Sequence, residues 1–238
     1  MRDKLFILII LIFVVQNLGA QNELRFSRAT LMGQNDPEIY SKSNGLIPQV
    51  ADAFEKMRIA ALMAGFDIKI VSAYRSYDRQ TAIWNRKFKA NKSKGLSPEE
   101  NIKKIIEYST LPGTSRHHWG TDIDIIDGFK PRKGDLLLTE KFHGNGPYAP
   151  LRLWLDKNAA KFGFLRPYTN DFEREGFKYE PWHYSYAPLA IPMLKSYLKL
   201  DLSRLLIPQT LEGRDHISPA FLNKYIRENV LGISSSLK

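Results

Sequence analysis

The chain has 238 residues, of which 43% are hydrophobic, 12% aromatic and 25% charged, a globular composition that excludes a collagen-like, coiled-coil or disordered protein. Thirty-five Lys and Arg against 25 Asp and Glu leave a formal charge of +10, which suits an anionic partner such as nucleic acid, phospholipid or an acidic cell-wall polymer. Cysteine is absent, so disulfides, thiolate zinc sites and cysteine nucleophiles are excluded, and any metal must rest on His and carboxylates.

Met1-Arg2-Asp3-Lys4 is a short charged start, Leu5 to Val15 is an unbroken apolar run of eleven, and Leu18-Gly19-Ala20 offers small residues for cleavage. Residues 1–20 therefore read as a secretory signal peptide, with an uncleaved anchor as the alternative, since a membrane span needs about 18 or more apolar residues. Cleavage removes Arg2, Asp3 and Lys4 and leaves a charge of +10 − 1 = +9. The expectation is an exported protein, periplasmic or extracellular, with no stable membrane span and no nucleic-acid partner.

Pro48 to Ala64 carries Val50, Phe54, Met57 and Ala61 at offsets of four, three and four and stops at Gly65, which predicts an amphipathic helix with a glycine cap. Phe66 to Val71 alternates as a strand and runs into Ser72-Ala73-Tyr74-Arg75-Ser76, so Arg75 lies at a strand's exit. A helix is predicted over Asp78 to Ala90. A second opens at Ser97-Pro98-Glu99-Glu100, a capping box with proline at the first helical position, and runs to about Tyr108. Gly120 to Ile126 reads as a second strand, and residues 127–150 as a Gly- and Pro-rich loop over the surface. Leu151 to Phe162 is a helix ended by Gly163. Tyr179 to Tyr186 is extended, with Pro181 arguing for an edge or a bend. Further helices are expected from Pro188 to Leu200 and from Ser218-Pro219 to about Val230. This pattern predicts an α+β fold in which helices flank a small antiparallel sheet, a single domain over 21–200 followed by a C-terminal helical extension at 201–238.

Three of the five histidines stand in chemical company: His117-His118 precedes Asp122 and Asp124, and His183 follows Glu180 by three residues. Zinc without thiolates needs His nitrogens and a carboxylate oxygen, a set that His117, Asp124 and His183 can supply. On a strand, Asp122 and Asp124 share one face while Ile123 and Ile125 take the other. Two carboxylates beside a His pair are costly to bury without a cation; a solvated acidic face is the competing reading. No HExxH string exists, and Pro181 opposes a continuous helix, so another backbone must bring Glu180 and His183 together. Glu180 is then a candidate general base, or else a surface partner of a Lys or Arg.

Ser115-Arg116-His117-His118-Trp119-Gly120-Thr121-Asp122-Ile123-Asp124 resembles the SxHxxGxxxD signature of the D-alanyl-D-alanine carboxypeptidases of the vancomycin-resistance type. Glu180-Pro181-Trp182-His183 is similar to their ExWH motif, and Ser72 to Gln80 to their SGYRSxxxQ segment; together the match runs from about Gln49 to Ala187. The resemblance implies a zinc peptidase related to lysostaphin-type peptidases and the hedgehog domain. It further implies Zn2+ on His117, Asp124 and His183, Glu180 as catalytic base, Arg75 polarising the scissile carbonyl and its oxyanion, and substrate contacts from Gln80 and Ser115. The implied substrate is the D-Ala terminus of peptidoglycan stem peptides.

One departure stands out, because the family commonly has Ala where this chain has Asp122. A carboxylate there can raise metal affinity, bind a basic substrate group or face solvent; the expectation is a solvent-facing side chain with no role. His118 is expected as a wall or outer-shell residue. An endopeptidase cutting D,D or L,D bonds with the same centre is the alternative enzyme, favoured by an open groove through Trp119 and Trp182. A non-catalytic module binding an anionic envelope polymer is the alternative outside enzymes.

Overall fold

The computed structural model describes residues 26–35, 44–202 and 207–238; the expected signal segment at residues 1–20 lies outside them. Among the described residues, seven helices surround one four-stranded sheet. The helices are α1 (Arg28–Met32), α2 (Pro48–Met63), α3 (Tyr77–Lys92), α4 (Pro98–Ile105), α5 (Ala149–Asn158), α6 (Ala187–Tyr197) and α7 (Pro219–Tyr225). The strands are β1 (Ile68–Ser72), β2 (Asp122–Asp127), β3 (Phe164–Leu165) and β4 (His183–Tyr186), ordered β1-β2-β4-β3 with every pairing antiparallel. No helix among the described residues is long and apolar enough to cross a membrane.

The helices form where spacing and caps prescribe them. α2 starts on proline and buries Val50, Phe54, Met57 and Ala61, the four positions of the sequence stripe. α4 opens on the complete Ser97/Glu100 capping box, and Ser76 and Ser218 cap α3 and α7 through their hydroxyls. β2 is central and buried at all six positions. Its Ile123 and Ile125 join α2 and α5 in one core layer, with Leu151, Leu155, Phe164 and Tyr184. A larger core on the other side gathers Trp84 and Phe88 of α3, Ile102 and Ile105 of α4, and Met193, Leu194 and Tyr197 of α6. Leu211, Ile217, Leu222, Tyr225, Val230, Ile233 and Leu237 enter that same cluster from the C-terminal part.

Several expectations change. Pro181 marks a bend, but not an edge: His183 N–H bonds to Glu180 C=O at 3.2 Å, and the strand that follows pairs on both sides. A proline cannot donate to the ladder, and here it sits before the ladder begins. Residues 127–150 are not only surface loop, because a 3-10 turn at Thr139–Phe142 helps bury Phe142 and Tyr148 against Ile126 and Trp182. The two-residue β3 and the short α1 are additions that the sequence pattern did not reveal.

Candidate metal centre

Register places the site. Asp124, in the middle of the sheet, lies opposite Ser72 of β1 and opposite His183 of β4. His117 arrives from a 3-10 turn at Arg116–Trp119, which Gly120 closes in a left-handed conformation at φ 67°. One ligand atom from each of His117, Asp124 and His183 falls within 4.8 Å of the others, with all three residues buried. His117 Nε2 is 3.2 Å from Asp124 Oδ2, and His183 Nδ1 is 3.5 Å from Asp124 Oδ1. The residues fit a cation: Asp124 Oδ1 is buried without a hydrogen-bond partner among the described residues, an expensive condition for a lone carboxylate oxygen.

Both imidazoles are oriented from behind. His117 Nδ1 meets the carbonyl of Ala73 at 2.8 Å, and His183 Nε2 meets Asp122 Oδ1 at 3.0 Å. Glu180 Oε2 lies 2.9 Å from His183 Nδ1, beside the candidate ligand atoms. Burial disfavours a charged His183, but hydrogen bonds to Asp122 and Glu180 and the charge of Asp124 outweigh it, so without metal its pKa is pushed up to about 10. Burial likewise opposes ionisation of Asp124, yet His117 and His183 hold it below the usual carboxylate range.

Arg75 reaches the cleft from the segment after β1. Its guanidinium donates to Gln80 Oε1 at 2.9 Å and to Ser72 Oγ at 3.0 Å, and its backbone N–H donates to the carbonyl of His117 at 3.1 Å. Burial lowers its pKa against the raising influence of Asp124 and Glu180. Gln80 is itself fully buried and gives its amide N–H to Thr110 C=O at 2.8 Å, so it touches the site through Arg75. Ser115 lines the cleft directly.

The cleft holds about 600 Å³, and its wall includes Arg75, Lys87, Ser115, Tyr168, Glu180 and Trp182. Tyr168 stands edge-on to His183 at 5.0 Å between ring centroids. Trp119 is not in this wall; it is buried in the larger core, with Nε1 bonded to Leu31 C=O at 3.1 Å, so the cleft does not run through Trp119 and Trp182, the arrangement that would have favoured an endopeptidase. His118 does not line the wall but packs behind it. It is fully buried, with Nδ1 against Arg75 C=O and Nε2 accepting Gly113 N–H at 3.0 Å. Burial, with the nearby charge of Arg75, lowers its pKa to about 3.

Residues 43–189, more than half of the chain, match the family described as VanY, D-alanyl-D-alanine carboxypeptidase. The chain belongs to this family. It is 32% identical over 161 residues to a D-alanyl-D-alanine carboxypeptidase of Enterococcus faecalis, an alignment covering 64% of this chain and 53% of that protein. It is 30% identical over 156 residues to the bifunctional D-Ala-D-Ala dipeptidase and D-Ala-D-Ala carboxypeptidase VanXYC of Enterococcus gallinarum, covering 65% of this chain and 71% of that protein. Among solved structures, VanYB in complex with D-alanine-D-alanine superposes with a TM-score of 0.50 at 26% identity, over 67% of this chain and 81% of that one. The chain thus spans about half the length of the E. faecalis relative.

The VanY match contains Arg75, Gln80, Ser115, His117, Asp124, Glu180 and His183, while residues 207–238 lie beyond it. The expectation for Asp122 is overturned: its side chain is fully buried beneath the VanY-type centre, bonded to Arg116 and His183. Neighbours 61 and 63 residues away, His183 and Ser185 on β4, cover that face of β2 and exclude solvent. Arg116, Thr121, Tyr168 and Ser185 are functional-site neighbours that the motifs did not single out. Only Arg116 left a signal, as a cation on the same short segment as Asp122.

Proposed function

We propose that this chain is an exported, zinc-dependent D-alanyl-D-alanine carboxypeptidase that removes the terminal D-alanine from peptidoglycan stem peptides. The observation that carries the reading is the buried His117–Asp124–His183 triangle with Glu180 at its side, in a member of the VanY family. Two imidazoles and one carboxylate, without thiolates, form a donor set that suits zinc and leaves a coordination position for chemistry. Zinc held there supplies Lewis-acid activation of water and of the scissile carbonyl.

The remaining work falls to side chains. Glu180 accepts the proton of the attacking water and returns it to the leaving amine. Arg75, its fork fixed by Gln80 and Ser72, offsets the negative charge that develops on the carbonyl oxygen. Arg75, Arg86 and Lys87 line the cleft beside Asp124, Asp135, Glu140 and Glu180, and are cations there that can pair with a ligand's free carboxylate. The D-alanine-D-alanine in the VanYB complex supports a substrate of that kind. Export is supported by the charged start and apolar run of the first 20 residues.

The test incubates the protein with a pentapeptide-bearing muropeptide, with and without chelator and added zinc, and follows product masses. Loss of one terminal alanine, abolished by the chelator and restored by zinc, is expected. An intact pentapeptide in the presence of bound zinc overturns the carboxypeptidase reading. Cleavage of cross-linked dimers in that case identifies an endopeptidase, and salt-sensitive binding of envelope polymer without cleavage identifies a binding module.

A further inference from the structure

Asp122 makes more polar contacts than any ligand of the proposed centre. Its Oδ1 accepts from Arg116 Nε at 3.0 Å and faces His183 Nε2 at 3.0 Å. Its Oδ2 accepts from the hydroxyls of Thr121 at 2.7 Å and Ser185 at 2.9 Å. Ser185 Oγ accepts in turn from the Arg116 guanidinium at 2.6 Å, which leaves the hydroxyl hydrogen for Asp122. An ionised carboxylate only accepts, so the imidazole nitrogen that faces it must carry a proton. The other nitrogen of His183, Nδ1, is the one aimed at Asp124 and Glu180.

His117 reaches the equivalent state by a different route, since its Nδ1 is paired with the neutral carbonyl of Ala73 and its Nε2 turns toward Asp124. One histidine is therefore backed by a carbonyl and the other by a full negative charge. That charge is tolerable in the interior because Arg116, also buried, lies against it.

We propose that Asp122 is a positioning residue for the metal centre: it retains the proton of His183 on Nε2, presents Nδ1 to the ion and strengthens that nitrogen as a donor. Arg116, Thr121 and Ser185 hold Asp122 in place. The inference rests on the zinc reading above. A carboxylate behind a metal-bound imidazole fixes its tautomer and raises its basicity, and losing such a partner weakens metal binding by about 10–100-fold.

The test pairs chelator-competition zinc titrations of the full chain, wild type and Asp122→Asn at one pH, with long-range 1H–15N spectra of the zinc-loaded histidines. Asparagine keeps an acceptor oxygen and the side-chain size while removing the charge. The expected result is wild-type His183 protonated on Nε2 and metal-bound through Nδ1, with zinc held about 10–100-fold less tightly by a folded Asp122→Asn variant. Equal affinity within about twofold, or His183 bound to zinc through Nε2, overturns the role of Asp122 and leaves the zinc reading standing. A wild-type chain that binds no zinc overturns both. Where Asp122→Asn does not fold, the double variant Arg116→Met, Asp122→Leu, which removes both charges together, is held to the same affinity criterion, and the wild-type spectrum decides if that variant also fails.

Discussion

Glu180 is placed by its own turn: its backbone N–H is bonded to Tyr168 C=O at 3.1 Å, and its carbonyl accepts from His183 N–H at 3.2 Å. The backbone therefore carries the carboxylate to the ligand atoms whatever the side chain's charge. Glu180→Gln is expected to retain zinc, read by metal analysis, and to lose about 10²–10⁴-fold in kcat as a proton carrier is removed. Arg75→Lys tests a different property, because lysine keeps the charge and loses the planar fork that Gln80 and Ser72 hold. A fall of about 10²–10³-fold in kcat, with a smaller change in KM, is expected if the fork acts on the developing oxyanion. An equal loss from substrate affinity alone would move Arg75 to ground-state binding. Of this site, the residues with distinctive chemistry at distinctive spacing were legible in the sequence: His117, Asp124, Glu180 and His183. Asp122 was not, because alternation along a strand says which residues share a face and nothing about what covers that face.

Elements were legible where their determinants are local. The stripe of α2 and the caps of α4 and α7 lie within a few residues of the helices they specify. The interior position of β4 and the burial of Phe142 and Tyr148 depend on long-range pairing, and β3 is too short to show a period. The turn at Arg116–Trp119 combines both kinds of information, since its histidines fit the sequence motif while their partners come from segments distant in the chain. Its His118 is satisfied only as a neutral ring, donating from Nδ1 to Arg75 C=O and accepting Gly113 N–H on Nε2. The folded-state pKa of about 3 lies below the ordinary value of 6.5, so unfolding takes up a proton between these limits. Stability from His118 is complete above pH 6.5 and is lost as pH falls toward 3. In the metal-free protein, urea titrations between about pH 6.5 and 5, above the carboxylate range, are expected to show a slope approaching about 1.4 kcal/mol per pH unit from this group. His118→Asn should flatten that slope; an unchanged slope would assign the proton uptake elsewhere.

At the scale of the whole molecule, the question is how residues beyond the VanY match support a centre that lies wholly inside it. They do so through one core. Trp84 Nε1 of α3 donates to Glu212 C=O at 3.0 Å, and Tyr225 of α7 bonds to the segment that leads into the site. The Tyr225 hydroxyl accepts Leu111 N–H at 3.0 Å and shares a 2.8 Å bond with Thr114 Oγ1, just before Ser115 and His117. Tyr225→Phe retains the ring and strands a buried N–H, a change expected to cost about 1–3 kcal/mol in urea unfolding. Its effect on zinc affinity should be smaller than that of Asp122→Asn, because the bond supports the approach to the site rather than a ligand. Deleting residues 207–238 is a larger perturbation. It would expose the faces of α3, α4 and α6 now covered by Leu211, Ile217, Leu222, Tyr225, Val230, Ile233 and Leu237. Fully burying one such apolar side chain is worth about 1.5–3 kcal/mol, so losing all seven is comparable to the whole net stability of a typical domain, about 5–15 kcal/mol. The truncated chain is therefore expected to lose cooperative unfolding and high-affinity zinc binding together. A truncated protein that retains both would show that the C-terminal part is a separable addition to a peptidase core complete without it.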